Sequence, residues 1–259
     1  MATTRYAAKQ ADEQRNRELE ATGTPSYSFS LEVIFETDPE LIATVLPAPL
    51  EPAAPLARLN ITTVQMAHGP AFGAGWFGVH ARHGDQLGEY PLFMPMTTEQ
   101  ATIGGRETFG EPKKIGEVAS SREGDRVEGR ISRLGFTVAE VHGSIAGERD
   151  LAERQSCDFY FKLSPSPEKP GELDADPILV HSHKTHTFKS WFDVDGDLIL
   201  KDSPLDPIAD FPVRRIVEMT WAEKASVIRA KVVGTVPRGD LLPYLHQRYD
   251  DLSVLGTKD

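Results

Sequence analysis

The chain has 259 residues, 39% of them apolar and 26% charged, with a net charge of −11 and one cysteine, Cys157. That length suits one large domain or two small ones, and the composition supports a globular core. The acidic balance argues against nucleic-acid binding, and no apolar run approaches the roughly 18 residues of a membrane span. The opening segment MATTRYAAKQADEQRNRELEATG contains no apolar stretch that would serve as a secretory signal, and a lone cysteine cannot form an internal disulfide. A reducing cytoplasm is therefore the expected compartment.

Residues 5–21 are polar and helix-favouring, with few apolar anchors. They predict an N-terminal helical arm within residues 1–25, docked on a partner subunit, followed by a single domain over 26–259. FSLEVIFE (29–36) alternates, with Phe29, Leu31, Val33 and Phe35 on one face, and predicts a strand. PELIATVL predicts a short helix, capped by Thr37 or Asp38 and stopped at Pro47. LARLNITTVQMA (56–67), GWFGVHARH (75–83) and GEYPLFMPM (88–96) are β-branched or aromatic-rich runs of strand length. TTEQATIGG (97–105) predicts a helix closed by Gly104 and Gly105. RVEGRISRL, FTVAEVHGSIAGE, CDFYFKL, ILVHSHKTHTF, DLILK, VEMTWAEK and SVIRAKVVGTV predict further strands. LLPYLHQRYDDL (241–252) has helical spacing, and SPSPEKPGELDADP (164–177) is an acidic, proline-rich loop. About ten strands with a few short helices describe a mainly β protein, an antiparallel sheet that is closed or nearly closed.

Several motifs carry little. Gly73 to Gly78 matches G-x-G-x-x-G, but a strand follows where a dinucleotide site requires a helix. Asp193-Val194-Asp195-Gly196-Asp197 resembles a calcium loop with its glycine one place early and no closing glutamate, so a hairpin turn at Asp195-Gly196 is expected instead. His181 and His183 share a strand face, yet His186 has the opposite parity and no suitable carboxylate is near. No metal and no cofactor is expected. Cys157 has no evident base partner in sequence.

Residues 104–117, GGRETFGEPKKIGE, carry the chemistry. Pro112 fixes its own φ and pushes Glu111 toward an extended conformation. If KKIGEV continues as a strand, Lys113 and Lys114 point to opposite faces, with Lys113 beside Ile115 and expected to be the buried one. An ordinary lysine titrates near 10.4, so little free amine exists at neutral pH; burial and a second cation both favour loss of the proton. A neutral amine attacks a ketone to form a Schiff base, and the iminium weakens any bond whose cleavage leaves a carbanion beside it.

Gly105-Arg106-Glu107-Thr108-Phe109-Gly110-Glu111-Pro112-Lys113-Lys114 resembles the active-site segment of the acetoacetate decarboxylase family. TDPELIATVLPAPLEP (37–52) and PLDPIADFPVRRIV (204–217) are similar to other family segments in the same order, and the match runs over roughly residues 28–250. The resemblance implies a cone-like β-barrel, a homo-oligomer, and a lyase acting on a small keto acid. It implies that Lys113 is the Schiff-base lysine and Lys114 its auxiliary neighbour, activated as that family's lysine is known to be, by desolvation or a nearby cation. The family's arginine on the first strand aligns with Ser28, one glutamate aligns with Asn60, and a second is missing from the stretch Trp76 to His80. His80 is the candidate replacement acid or base, because imidazole titrates near neutrality. Tyr244 is a second candidate proton donor that also suits simple packing. Arg106 and Glu107 are candidate substrate contacts, with a mutual pair bracing the lysine loop as the favoured role. Trp76, Phe77, Phe93 and Met94 are the expected apolar walls around Lys113. Three functions follow: a decarboxylase-like Schiff-base lyase, an aldolase-dehydratase using the same lysine on a keto acid and an aldehyde, and a non-catalytic small-molecule binding protein.

Overall fold

The computed structural model describes residues 26–66 and 70–256; the predicted arm lies outside the described residues. The chain forms β1 (Ser26–Glu36), α1 (Pro39–Val45), β2 (Glu51–Gln65), β3 (Phe72–His83), β4 (Gln86–Met96) and α2 (Glu99–Phe109). It continues as β5 (Lys113–Ile115), β6 (Glu117–Glu123), β7 (Arg126–Arg133), β8 (Phe136–Glu148), β9 (Arg154–Lys162), β10 (Ile178–Leu200) and β11 (Arg215–Thr235). One helical turn, α3 (Arg238–Leu241), and two 3-10 turns, Leu242–Gln247 and Leu252–Leu255, end the described chain.

The strands close a ring in the order β11-β1-β2-β3-β4-β9-β10, and β10 returns to β11, making a seven-stranded barrel. The C-terminal part of β10 leaves the ring and pairs with β8, extending into a β8-β7-β6 sheet. That sheet lies over the outside of the barrel: a Cβ on Gly129 of β7 would meet Ile61 and Leu31. Strand alternation therefore separates two buried faces. Leu31, Val33, Phe35, Leu59, Ile61, Phe77, Val79 and Phe93 belong to the main apolar core between barrel and covering elements. The alternate positions, among them Ser30, Glu32, Arg58 and Asp158, are buried too, and point into the barrel lumen.

Local chemistry sets most element ends. Asp38 caps α1 by accepting from the Glu40 N–H, with Pro39 in the first turn. Thr98 caps α2 by accepting from Ala101 N–H, and Gly110, in the left-handed region at φ 82°, closes it.

Several predicted boundaries are corrected. The helix α2 runs through Gly104 and Gly105 and stops at Gly110. No hairpin forms at Asp195-Gly196, because β10 passes straight through and pairs Gly196 with Gly143. The glycine serves close approach rather than a turn: a Cβ there would lie 2.2 Å from the His142 carbonyl oxygen. VEMTWAEK and SVIRAKVVGTV are likewise one strand, β11. The predicted helix over 241–252 breaks into short turns, with Pro243 inside the first 3-10 segment.

Gly196→Ala should cost about 1–3 kcal/mol of stability in urea denaturation, as overpacking against backbone does. Gly147→Ala on β8, where an added Cβ meets nothing within 4 Å, should change stability by less than about 0.5 kcal/mol.

Candidate active site

The lumen is charged throughout. Arg58 on β2 donates to Glu89 of β4 through Nε at 2.8 Å and Nη2 at 2.7 Å, and to Glu32 of β1 through Nη1 at 3.1 Å. Its Nη2 lies 3.9 Å from Asp158 of β9, and its guanidinium stacks 3.9 Å from the Trp76 ring centre. Arg154 of β9 reaches across the barrel to Glu32 at 2.9 Å. Lys184 of β10 pairs with Asp158, which also accepts from the Tyr160 hydroxyl at 2.7 Å. Burial alone would raise the Glu32 carboxyl, but the charges of Arg58, Lys224 and Arg154 outweigh it and hold it at about 2. Glu89 is held low in the same way, burial being outweighed by Arg58 and His80.

Above this charged layer lies an apolar one, built from Trp76, Met94, Met96, Tyr160 and Val180. β5 adds to it, pairing parallel to β4 with Lys113 opposite Met94 and Lys114 opposite Pro95. Lys113 thus shares the lumen face with Met94. Its Nζ lies 2.7 Å from Glu111 Oε2, a close charge contact rather than an aligned hydrogen bond. Burial pushes the Tyr160 hydroxyl well up, and Asp158 and Glu111 reinforce it, which ties Glu111 to the lumen network. Gly105 of α2 lies against this pair, where a Cβ would sit 1.9 Å from Glu111 Oε2 and 2.6 Å from Lys113 Nζ. Arg106 fixes the lysine strand by donating to the Lys113 carbonyl at 3.0 Å and the Arg248 carbonyl at 3.3 Å.

Lys114 points to the other side. It is the more buried of the two, reversing the expectation for Lys113, because Asp206 and Asp250 each bind its Nζ at 2.9 Å. Arg133 binds the same two carboxylates, completing a four-charge cluster. Beside it opens a pocket of about 180 Å³ lined by Phe77, Phe93, Leu205, Phe211 and Gln247. Phe77 and Phe93 are therefore neighbours of Lys114, whereas Trp76 and Met94 accompany Lys113.

The remaining predicted residues separate. His80 faces the lumen but pairs with Glu89 at 3.4 Å. It stands four residues along β3 from Trp76, about 13 Å by strand rise. Tyr244 lies outside the barrel, donating to the Leu46 carbonyl at 3.3 Å. Glu107 is exposed and forms no ion pair with Arg106 among the described residues.

Ser28 and Asn60, the positions of the missing family groups, both line a lumen cavity of about 150 Å³ with Arg58, Lys184, His186 and Lys224. His186 bridges Ser156 at 3.2 Å and Ser226 at 2.8 Å, and burial with Lys224 and Lys184 nearby holds it neutral, down at about 3. Lys224 has no salt bridge among the described residues. Burial is the main reason its ammonium sits at about 8; Glu32 opposes that shift, and Arg58, Arg154 and Lys184 add to it. Sequence inspection missed Glu32, Arg58, Glu89, Asp158 and Glu111. For all but Glu111, which lies in the loop before β5, the signal was a polar residue at alternate positions of strands otherwise rich in large apolar residues.

The fold and this interior define a closed-barrel protein with a buried, charge-lined site of small-molecule size. The family model "Acetoacetate decarboxylase (ADC)" matches residues 16–235, and the chain belongs to the acetoacetate decarboxylase family. It is 25% identical over 195 residues to an acetoacetate decarboxylase of Burkholderia vietnamiensis, covering 72% of this chain and 77% of that one. Over 202 residues it is 25% identical to one from Chromobacterium violaceum, with 71% and 77% covered. A solved acetoacetate decarboxylase superposes with a TM-score of 0.72 at 21% identity, over 82% of this chain and 90% of the other. The enduracididine biosynthesis enzyme MppR superposes at 0.70 and 17% identity, over 81% and 88%. The chain is thus an acetoacetate decarboxylase-like enzyme.

Arg58→Met removes both hydrogen bonds that Glu89 receives from it and one of the two cations on Glu32, and should cost about 3–5 kcal/mol. The depressed Glu32 carboxyl contributes stability that is full above its ordinary value near 4.5 and is lost as pH falls toward about 2. Urea midpoints measured from pH 7 to pH 3 should decline for the native chain and much less steeply for Arg58→Met.

Proposed function

We propose that the chain is a Schiff-base lyase for a small keto acid, with Lys113 as the amine. The observation that carries this is the split between the lysines. Lys113 alone faces the lumen, in an apolar layer above a cation-rich cavity, with the buried Glu111 carboxylate at 2.7 Å. Lys114 is held between Asp206 and Asp250 on the opposite side, which suits a structural role.

Glu111 is placed to receive the proton that Lys113 must shed before attack. The amine adds to the ketone carbon and water leaves, giving an iminium. Cleavage of the adjacent C–CO₂⁻ or C–C bond sends its electron pair into the iminium and leaves an enamine. Protonation at carbon and hydrolysis then return the amine. Trp76, Met94 and Tyr160 form apolar walls beside the amine, and the arginines and lysines beyond Trp76 suit an anionic substrate.

A second reading, aldol or dehydration chemistry through the same lysine, is favoured by the cavity's polar lining. Ser28, Ser30, Asn60 and Thr62 offer hydrogen bonds to an aldehyde-derived portion. MppR, solved with the condensation product of pyruvate and imidazole 4-carboxaldehyde, shares the fold at a TM-score of 0.70. Several cations on a ground-state carboxylate also oppose its departure as CO₂, since only transition-state binding accelerates a step.

Borohydride trapping with a panel of keto acids, read by intact mass and peptide mapping, tests this. The adduct should map to Lys113, vanish in Lys113→Ala and persist in Lys114→Met, which should lose thermal stability. Glu111→Gln should slow trapping by about 100-fold or more, as removal of a general base does. Acetoacetate should release CO₂ more slowly than a typical enzyme's roughly 10 per second. An adduct on Lys114 overturns the assignment, and no adduct with any keto acid favours a non-catalytic binding protein.

A further inference from the structure

β9 and β10 carry a second cluster on the face turned away from the lumen. In their antiparallel register Cys157 stands opposite His183, and Phe159 opposite His181. Alternation sends Asp158, Ser182 and Lys184 inward and leaves Cys157, His181 and His183 together outside. The Cys157 sulfur and one ring nitrogen from each histidine all lie within 4.8 Å of one another. A fourth donor arrives from the end of β3, where His83 Nδ1 lies 2.9 Å from His181 Nε2.

We propose that Cys157, His181, His183 and His83 form a zinc site on the outer wall of the barrel. One thiolate and three imidazoles are a donor set that selects zinc over magnesium or calcium, which prefer oxygen. Tetrahedral bonds of about 2.0–2.3 Å place donor atoms roughly 3.3–3.6 Å apart. Side-chain rotation closes the widest separations in the cluster by up to about 1.5 Å, while the His83–His181 pair opens by about half an ångström.

Without metal Cys157 is a buried free thiol. Zinc binding then exchanges the S–H bond for a Zn–S bond and releases one proton to solvent. Cys157 and His181 are buried while His183 is exposed, which leaves a path for entry. The site would tie the end of β3 to β9 and β10, strands that β4 otherwise separates in the ring.

Tag-free, reduced, metal-stripped full chain is titrated with cobalt and, against a chromophoric chelator, with zinc. One equivalent should bind with a Kd of about 1 µM or tighter, cobalt should show a thiolate charge-transfer band, and zinc should raise Tm. Cys157→Ser should abolish the band. His183→Ala and His83→Ala should each weaken zinc at least about tenfold, while His142→Ala, an exposed histidine on β8, should bind as the native chain does. Circular dichroism and Tm without metal establish that each variant is folded, and the exposed His183 is the position least able to disturb folding. No saturable binding below about 100 µM, or binding unchanged in both Cys157→Ser and His183→Ala, overturns the proposal.

Discussion

The barrel depends on one guanidinium. A closed sheet with a second sheet packed outside it has two interiors, and the inner one in this protein is lined with carboxylates. Arg58 binds Glu32 and Glu89, approaches Asp158 and stacks on Trp76, so four strands of the ring meet at one side chain. Burying charges costs several kcal/mol per ion unless each is paired and hydrogen-bonded. Arg58, with Arg154 and Lys184, meets that requirement for Glu32, Glu89 and Asp158, and what is left over is the Lys224 ammonium beside the cavity.

That arrangement explains why adjacent lysines take different parts. β5 is three residues long and pairs in parallel with β4, so its alternation is locked to that of Met94 and Pro95. One lysine must enter the lumen and the other must leave it. Arg106 holds the Lys113 carbonyl, and Gly105 leaves just enough room for Lys113 and Glu111 to meet. The glycine–arginine setting ahead of the lysines shapes the segment through backbone contact and volume.

How much of this is legible in sequence follows from which physics is local. FSLEVIFE shows its apolar face plainly, and β1 buries Leu31, Val33 and Phe35. The helix at Pro39 is legible from its cap. The Pro-Lys-Lys segment is legible by its resemblance, and the opposite directions of its lysines by strand parity. Glu32, Arg58 and Asp158 are not, because an alternating polar position looks the same whether it faces water or a sealed lumen. Only the closure of β10 on β11 decides between them. Gly196 misleads for a related reason: Asp-Gly is a turn signal, yet the same glycine permits contact with the His142 backbone, a residue far off in sequence. Which lysine is more buried also escapes, since Asp206 lies 92 residues from Lys114 and Asp250 lies farther still.

β11 has a further consequence, for the order of assembly. Among the described residues it is the last strand, and it pairs with both β1 and β10, joining Ser28 to Lys224 across 196 residues. Contacts of such sequence separation form slowly, because the loop entropy falls due before the contact gives anything back. Until β11 is present the ring is an open sheet, and its charged inner face is wet. Those charges then act as a solubilising coat on a sheet whose edges are still unpaired. When β11 docks, the edges of the ring pair and the ion pairs become buried together. Barrel closure and the burial of the charged lumen beside Lys113 are one event, so a partly synthesised chain has the lysine strand without its enclosed surroundings.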